Sequence, residues 1–182
     1  TLYLSSEQDT VDNPQFLLNS KTFQTIYGRN LLHELNIIIP NDTLIVTMED
    51  LWSNFSNIFT KNVHVHLVKN LDINTLEESY RKVKNFNAVI GIGGGQALDT
   101  AKFFSWKSNT KLFQVPTSMS VNAAFGHRFA SRIDGNINYI GWTVPQAVYI
   151  DYDIIKKAPK IFNRSGICEI MCYHTAHLDW KY

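Results

Sequence analysis

The sequence predicts an α/β fold with a mainly parallel sheet, and three observations carry that prediction. From about residue 23 short β-rich runs alternate with amphipathic segments. One apolar run passes through Gly93-Gly94-Gly95 directly into a helical pattern. The composition, 45% hydrophobic and 18% charged over 182 residues, is that of a globular chain with a core to fill. In chain order, Thr43–Thr47 (TLIVT) reads as a buried strand, residues 51–59 as a helix and residues 63–68 (VHVHLV) as an alternating strand. Asn74 with Glu77 three residues later has capping-box character and opens a helix to about Val83. Residues 88–92 form the next strand. The helix after the glycines places Ala97, Ala101 and Phe104 on one side. Residues 112–115 are a strand that stops at Pro116, followed by the small polar loop Thr117-Ser118-Met119-Ser120. Asp134-Gly135-Asn136 marks a hairpin between residues 129–133 and 137–142. Residues 147–150 are a last strand, residues 151–157 a short helix before Pro159, and Asn163 or Ser165 caps a final helix through Trp180.

Charge and hydropathy exclude whole classes of partner. Lys plus Arg total 17 against 16 for Asp plus Glu, a net charge of +1, so no nucleic-acid partner is expected. The longest aliphatic stretch, Ile37 to Ile39, is far short of the ~20 residues that span a bilayer, and no membrane partner is expected. Thr1-Leu2-Tyr3-Leu4 turns polar at once, without a basic or apolar leader, and the default location is cytoplasmic. Cys168 and Cys172 are four apart in one helix and read as reduced, buried small hydrophobes with no basic neighbour to activate them.

The glycine turn is the first feature that points to chemistry. Glycines at the end of a parallel strand let the backbone approach a phosphate, and the next helix offers unpaired N–H groups and the positive end of its dipole. In an open α/β sheet the ligand lies beyond the carboxyl ends of the strands, where this turn and the loop after Pro116 both fall. The alternative is a tight turn that only packs helix on strand. Gly91, Gly93 and Gly94 do not complete the G-x-G-x-x-G fingerprint, because Leu98 stands at the third glycine.

Gly93-Gly94-Gly95-x-x-Leu98-Asp99-x-x-Lys102, followed by Val115-Pro116-Thr117-Ser118-x-Ser120, resembles the superfamily of iron-containing alcohol dehydrogenases, glycerol dehydrogenases and dehydroquinate synthases. Ser165-Gly166-Ile167-Cys168-Glu169-Ile170 with Thr175-Ala176-x-x-Asp179-Trp180 is similar to the metal-site helix of its sn-glycerol-1-phosphate dehydrogenase branch. The resemblance implies a Rossmann-like dinucleotide-binding domain over residues 1–160, and over residues 161–182 the first helix of an all-helical metal-binding domain. It implies NAD or NADP against Gly94, Gly95, Gln96 and Asp99, with Thr117 and Ser120 joining them. It implies hydride transfer between a small polyol or polyol phosphate and its ketone, assisted by a divalent metal, zinc or iron. The helix ligand is matched by Glu169, and two further histidines are expected beyond Tyr182, so a chain ending there is expected to show no turnover. A homo-oligomer is also implied.

This chain departs from the family pattern at three places. Asn122 stands where the family has a catalytic Asp near the substrate hydroxyls, within Val121-Asn122-Ala123 where the branch has His-Asp-Gly; an amide hydrogen-bonds but does not accept a proton. Glu169 is one methylene longer than the family's Asp. At the end of the first clear strand, Met48 with Glu49 and Asp50 leaves NAD and NADP both open. His174 and His177 are three apart on the final helix and read as a surface pair or as a metal clasp; His64 and His66 share one side of a strand and read as core-edge or exposed residues more than as ligands; His127 beside Arg128 faces either solvent or a phosphate. Lys102 is either an i,i+3 partner of Asp99 or a structural group near the cofactor. Two other functions stay open beside the dehydrogenase. One is a silent nucleotide-binding module, favoured by Asn122 and Glu169. The other is a dehydroquinate synthase-like lyase, which lacks its Ser-Ser-x-Gly-Gly-Lys run here.

Overall fold

The computed structural model describes residues 24–83, 85–120 and 122–181, so the readings made at Thr1–Leu4 and at Val121 lie outside the described residues. A six-stranded, all-parallel sheet runs through them in the order β1 (Gln24–Gly28), β8 (Ala147–Asp151), β5 (Lys111–Pro116), β4 (Ala88–Gly93), β2 (Thr43–Thr47), β3 (Val63–Leu67). The inner strands β2 and β4 are buried along their whole length, and the edge strands β1 and β3 only in part. Strands covered on both faces must be apolar at successive positions, hence TLIVT and AVIGIG, while an edge tolerates the alternation of VHVHL.

Alternate residues of each inner strand feed two separate cores. Ile45, Ile90, Ile92, Phe113 and Val115 face one way and pack with Leu31, Leu32 and Leu35 of α1 (Leu31–Ile38). Leu44, Val46, Val89 and Leu112 face the other way, against Ala97, Ala101, Phe103 and Phe104 of α4 (Gly95–Ser108). The antiparallel hairpin β6 (Phe129–Ile133) and β7 (Asn136–Ile140) covers α4 through Phe129, whose ring lies 5.4 Å from that of Phe103.

Helix boundaries differ from the sequence reading at three places. α2 (Glu49–Phe55) starts directly after β2 and gives way to a 3-10 turn at Ser56–Ile58, so the helix expected over 51–59 is earlier and shorter. α3 (Ile73–Lys82) is capped by Asp72, whose Oδ1 accepts from the N–H groups of Asn74 and Thr75; Asn74 sits inside the first turn and is not the cap. Asp151 likewise caps α5 (Tyr152–Lys157) by accepting from the Asp153 N–H. The final helix, α6 (Lys160–Asp179), begins immediately after Pro159. Neither Asn163 nor Ser165 caps it, because the Asn163 side chain is spent on tertiary contacts. α6 buries none of its residues, and Cys168 and Cys172 are exposed free thiols, which corrects the expectation that they are core hydrophobes. Among the described residues no helix is long and apolar enough to cross a membrane.

β2 and β4 are neighbours, yet the chain leaves β2 toward β3 and leaves β4 toward β5. The two connections diverge, and a crevice opens at the carboxyl ends of these strands.

Candidate cofactor and substrate clefts

The amino end of α4 sits in that crevice and divides two concavities. The first, about 790 Å³, is lined by Met48 and Asp50 after β2, by Gly94, Gly95 and Gln96, by Thr117, Ser118 and Ser120, and by Lys157 and Phe162 of α5 and α6. The second, about 760 Å³, shares Gly95 and Gln96 and adds Asp99, Lys102, Asn122, Arg128, Trp142, Glu169 and Tyr173. The sequence-derived candidates are thereby brought together. Gly94, Thr117 and Ser120 fall in the first cleft, Asp99, Asn122 and Glu169 in the second, and Gly95 and Gln96 in both.

The three glycines at this turn have different reasons to be glycine. A Cβ on Gly91 would lie 2.8 Å from the Ala101 Cβ and 2.8 Å from Gln114 Oε1, so this residue sets how closely α4 packs on the sheet. Gly93 has φ near +153°, and its Cβ would lie 2.7 Å from that of Ala97. Both satisfy the reading of a turn that packs helix on strand. Gly94, the residue before α4, has φ −83° and no atom within 4 Å of where its Cβ would stand. Neither backbone strain nor packing requires glycine there; the open space belongs to the cleft.

Among the described residues the first turn of α4 has no side-chain cap and no acidic residue, and the positive end of its dipole lies at the cleft beside Gly94, Gly95 and Gln96. The loop after β5 is tied to this turn by a hydrogen bond from the Thr117 N–H to the Gly93 carbonyl, 3.1 Å. Its far side is fixed from α6. Asn163 Oδ1 accepts from the Met119 N–H (3.0 Å) while its Nδ2 donates to the Ile155 carbonyl (2.9 Å). Gly166 packs so closely that a Cβ there would meet the Met119 carbonyl oxygen at 1.8 Å. Ser118 and Ser120 hydroxyls bond each other at 3.0 Å.

Ionised and amide side chains build the second cleft. Lys102 is 1% exposed, with Nζ 2.8 Å from Asp99 Oδ1 and 3.0 Å from the Arg128 carbonyl oxygen. It is a buried pair that fastens α4 to the 126–128 loop, not a surface i,i+3 contact. Burial pushes the Asp99 carboxyl above its ordinary value, against the opposing pull of Lys102. The His127 and Trp142 rings lie 4.9 Å apart and tilted by 50°, and burial, then Lys102, lowers the His127 pKa. Asn122 Nδ2 donates to Tyr173 Oη at 2.7 Å. Glu169 precedes Tyr173 by one helical turn on the cleft side of α6.

The remaining histidines fall outside both clefts. His66 packs on Phe104 at 5.0 Å, and burial lowers its pKa; His64 lies 3.7 Å from Asp42. His174 and His177 are exposed on α6, and among the described residues no three His, Cys, Asp or Glu side chains converge to hold a metal. Sequence reasoning missed Lys157, Phe162 and Trp142 as cleft residues, whereas helical spacing puts Tyr173 on the face of Glu169. The missed residues come from segments remote in sequence, and only the basic last turn of α5 gave any local signal.

The chain matches a family model described as iron-containing alcohol dehydrogenase over residues 20–159. Among curated proteins it is similar to glycerol-1-phosphate dehydrogenase (NAD(P)+) of Methanococcus aeolicus, 34% identical over 105 residues, covering 58% of this chain and 30% of that protein. It is also similar to glycerol-1-phosphate dehydrogenase (NAD(P)+) of Pyrococcus horikoshii, 29% identical over 171 residues, covering 87% of this chain and 49% of that one. The chain thus spans half or less of the length of these relatives. In fold it is similar to the crystal structure of glycerol dehydrogenase from Schizosaccharomyces pombe, with a TM-score of 0.69 at 22% identity, covering 80% of this chain and 41% of that chain. With the match extending over 140 of its 182 residues, from 20 to 159, the chain belongs to the iron-containing alcohol dehydrogenase family.

Proposed function

We propose that this chain is the dinucleotide-binding part of an NAD(P)-dependent oxidoreductase that interconverts a small polyol phosphate, of the glycerol-1-phosphate kind, with its ketone. Gly94 carries the reading: its glycine serves neither backbone nor packing, and it opens the first cleft beside the uncapped amino end of α4. An oxidised or reduced nicotinamide dinucleotide fits these groups, because a pyrophosphate needs N–H donors and close backbone approach. In this assignment Gly94, Gly95 and Gln96 hold the pyrophosphate through the backbone, Thr117 and Ser120 hydroxyls bond the same ligand, and Asp99 borders its reactive end.

The bound dinucleotide supplies hydride acceptance or donation. The protein's own share is to orient and exclude: Lys102 and Asp99 hold the wall of the second cleft rigid, and Asn122 faces the substrate. Glu169 would contribute one ligand to a divalent metal. The described residues do not complete such a site. Similarity to glycerol-1-phosphate dehydrogenases supports the cofactor and the substrate class, and membership of the iron-containing alcohol dehydrogenase family supports a metal.

The test uses the whole protein, titrated separately with NADH and NADPH, then supplied with dihydroxyacetone phosphate and Zn²⁺ or Fe²⁺. Binding of one or both cofactors with oxidation of NAD(P)H on adding the ketone is the expected result. Binding without consumption would replace it by the silent nucleotide-binding module, and failure to bind either cofactor would refute the reading.

A further inference from the structure

The contact between Asn122 and Tyr173 has a direction. Asn122 Nδ2 is the donor and Tyr173 Oη the acceptor, at 2.7 Å. A phenol oxygen that accepts still has its own O–H to give. Both side chains line the second cleft, which shares Gly95 and Gln96 with the first, so the phenol stands next to the space reached by a ligand on the amino end of α4. The ring is not buried structural filler, being 58% exposed on a helix that buries none of its residues. The pairing is also what holds the ring. It ties α6 to the loop after β5 at a second place, after the contacts of Asn163 and Gly166 with Met119.

Tyr173 follows Glu169 by four residues, which puts the two side chains roughly 5–6 Å apart at Cβ on one face of α6. A ligand with a free hydroxyl on the carbon next to its reacting oxygen can address both positions at once. One without that hydroxyl cannot. Resting on the functional reading above, we infer that Tyr173, held by Asn122, donates a hydrogen bond to a substrate hydroxyl adjacent to the reacting carbon, and so selects α-hydroxyketones and their vicinal diols over substrates that lack that hydroxyl. Asn122 is then a positioning residue that acts through Tyr173.

Dissociation constants of two ketones, measured by calorimetry on the NADH-loaded whole protein, test this. Dihydroxyacetone phosphate has the hydroxyl; acetol phosphate is the same molecule without it. The unsubstituted protein should prefer the first by about fivefold to tenfold, the range of one hydrogen bond between neutral groups. Tyr173→Phe keeps the ring and removes the hydroxyl, with its bond from Asn122, and it should bring that ratio to about one and lower the melting temperature by no more than a few degrees while the NADH dissociation constant stays unchanged. Asn122→Ala should lower the ratio in the same direction, and the double variant should lose no more than Tyr173→Phe alone, since both act through one bond. A Tyr173→Phe protein that keeps the full preference overturns the assignment while leaving the dehydrogenase reading intact. Failure of the unsubstituted protein to bind NADH refutes both.

Discussion

The two clefts on either side of the α4 amino end are built from different materials. The first presents backbone: the open Gly94, the uncapped first turn of α4 and a loop whose own hydroxyls bond each other. The second presents side chains: the buried Lys102–Asp99 pair, Arg128, Asn122, Glu169 and Tyr173. Backbone donors at a strand–helix junction suit a group common to many enzymes, a phosphate bridge, and depend only on the turn. Side chains brought in from α4, the long β5–β8 connection and α6 suit a group that differs from enzyme to enzyme. Change in specificity without change of fold is open to the second cleft and closed to the first.

Substitutions on either side of the α4 amino end separate these two constructions. The largest contrast is between adjacent glycines. Gly93→Val forces a side chain onto φ near +153° and into the Ala97 Cβ, and should cost about 3 kcal/mol or more, enough to leave little folded protein in a denaturant titration. Gly94→Val, one residue on, meets no protein atom within 4 Å, so it should melt within a degree or two of the parent yet weaken NADH binding by about tenfold or more through lost backbone approach. Equal melting losses for the two would show that the turn serves packing throughout.

In the second cleft the largest effect belongs to Lys102→Met. Removing the cation leaves Asp99 buried without its partner, and about 3 kcal/mol of stability should go with it. The sign of the pH dependence then identifies the cause. The Asp99 carboxyl, already raised by burial, loses the opposing pull of Lys102 and rises further. A folded state that holds a proton the unfolded chain has released is most favoured below the ordinary value of 3.8 and loses that advantage as pH climbs through the folded value. The Lys102→Met deficit should therefore shrink on acidification, read from urea midpoints across pH. A deficit independent of pH would mean that the lysine stem, not its charge, holds the 126–128 loop.

Asn163→Ala probes the wall shared by the loop and α6. Two hydrogen bonds disappear, from the Met119 N–H and to the Ile155 carbonyl, for about 1–2 kcal/mol in chemical denaturation. NADH affinity should fall severalfold with it, because Ser118 and Ser120 lose their anchor; unchanged affinity would show that the β5 end alone places the loop. The smallest effect lies outside both clefts. His66 has a pKa lowered by burial against Phe104, so the unfolded chain takes up protons first, and stability present above 6.5 is lost as pH falls through the folded value. His66→Phe should flatten that acid-side decline in a pH series of melting curves without altering ligand binding.

Much of the fold was legible because its signals are local. TLIVT, AVIGIG and the run into the triple glycine each state strand, turn or helix within a dozen residues, and the structure has a parallel sheet with these strands inside it. Caps were less legible: Asp72 and Asn74 are both able to cap, and only the geometry of the preceding loop chose Asp72. Asn163 looked like a cap for the same reason, and tertiary contacts claimed its side chain first. The first cleft was readable from Gly94 to Ser120, since it lies where two successive strand ends must face one another. In the second cleft Asn122 and Glu169 were readable through a family resemblance and Tyr173 through its helical spacing from Glu169, whereas Trp142 was not.

By itself the sequence determined the period of each segment, and with it the alternation of strands and helices and the position of the glycine turn, because these depend on residues within a few bonds of one another. The tertiary structure alone decided that Lys102 is a buried tether and not a surface ion pair, that Gly94 is open while Gly93 is filled, and that Asn122 meets a phenol 51 residues away. Burial and hydrogen bonding across such separations depend on how the sheet's two faces are covered, and no local window contains that information.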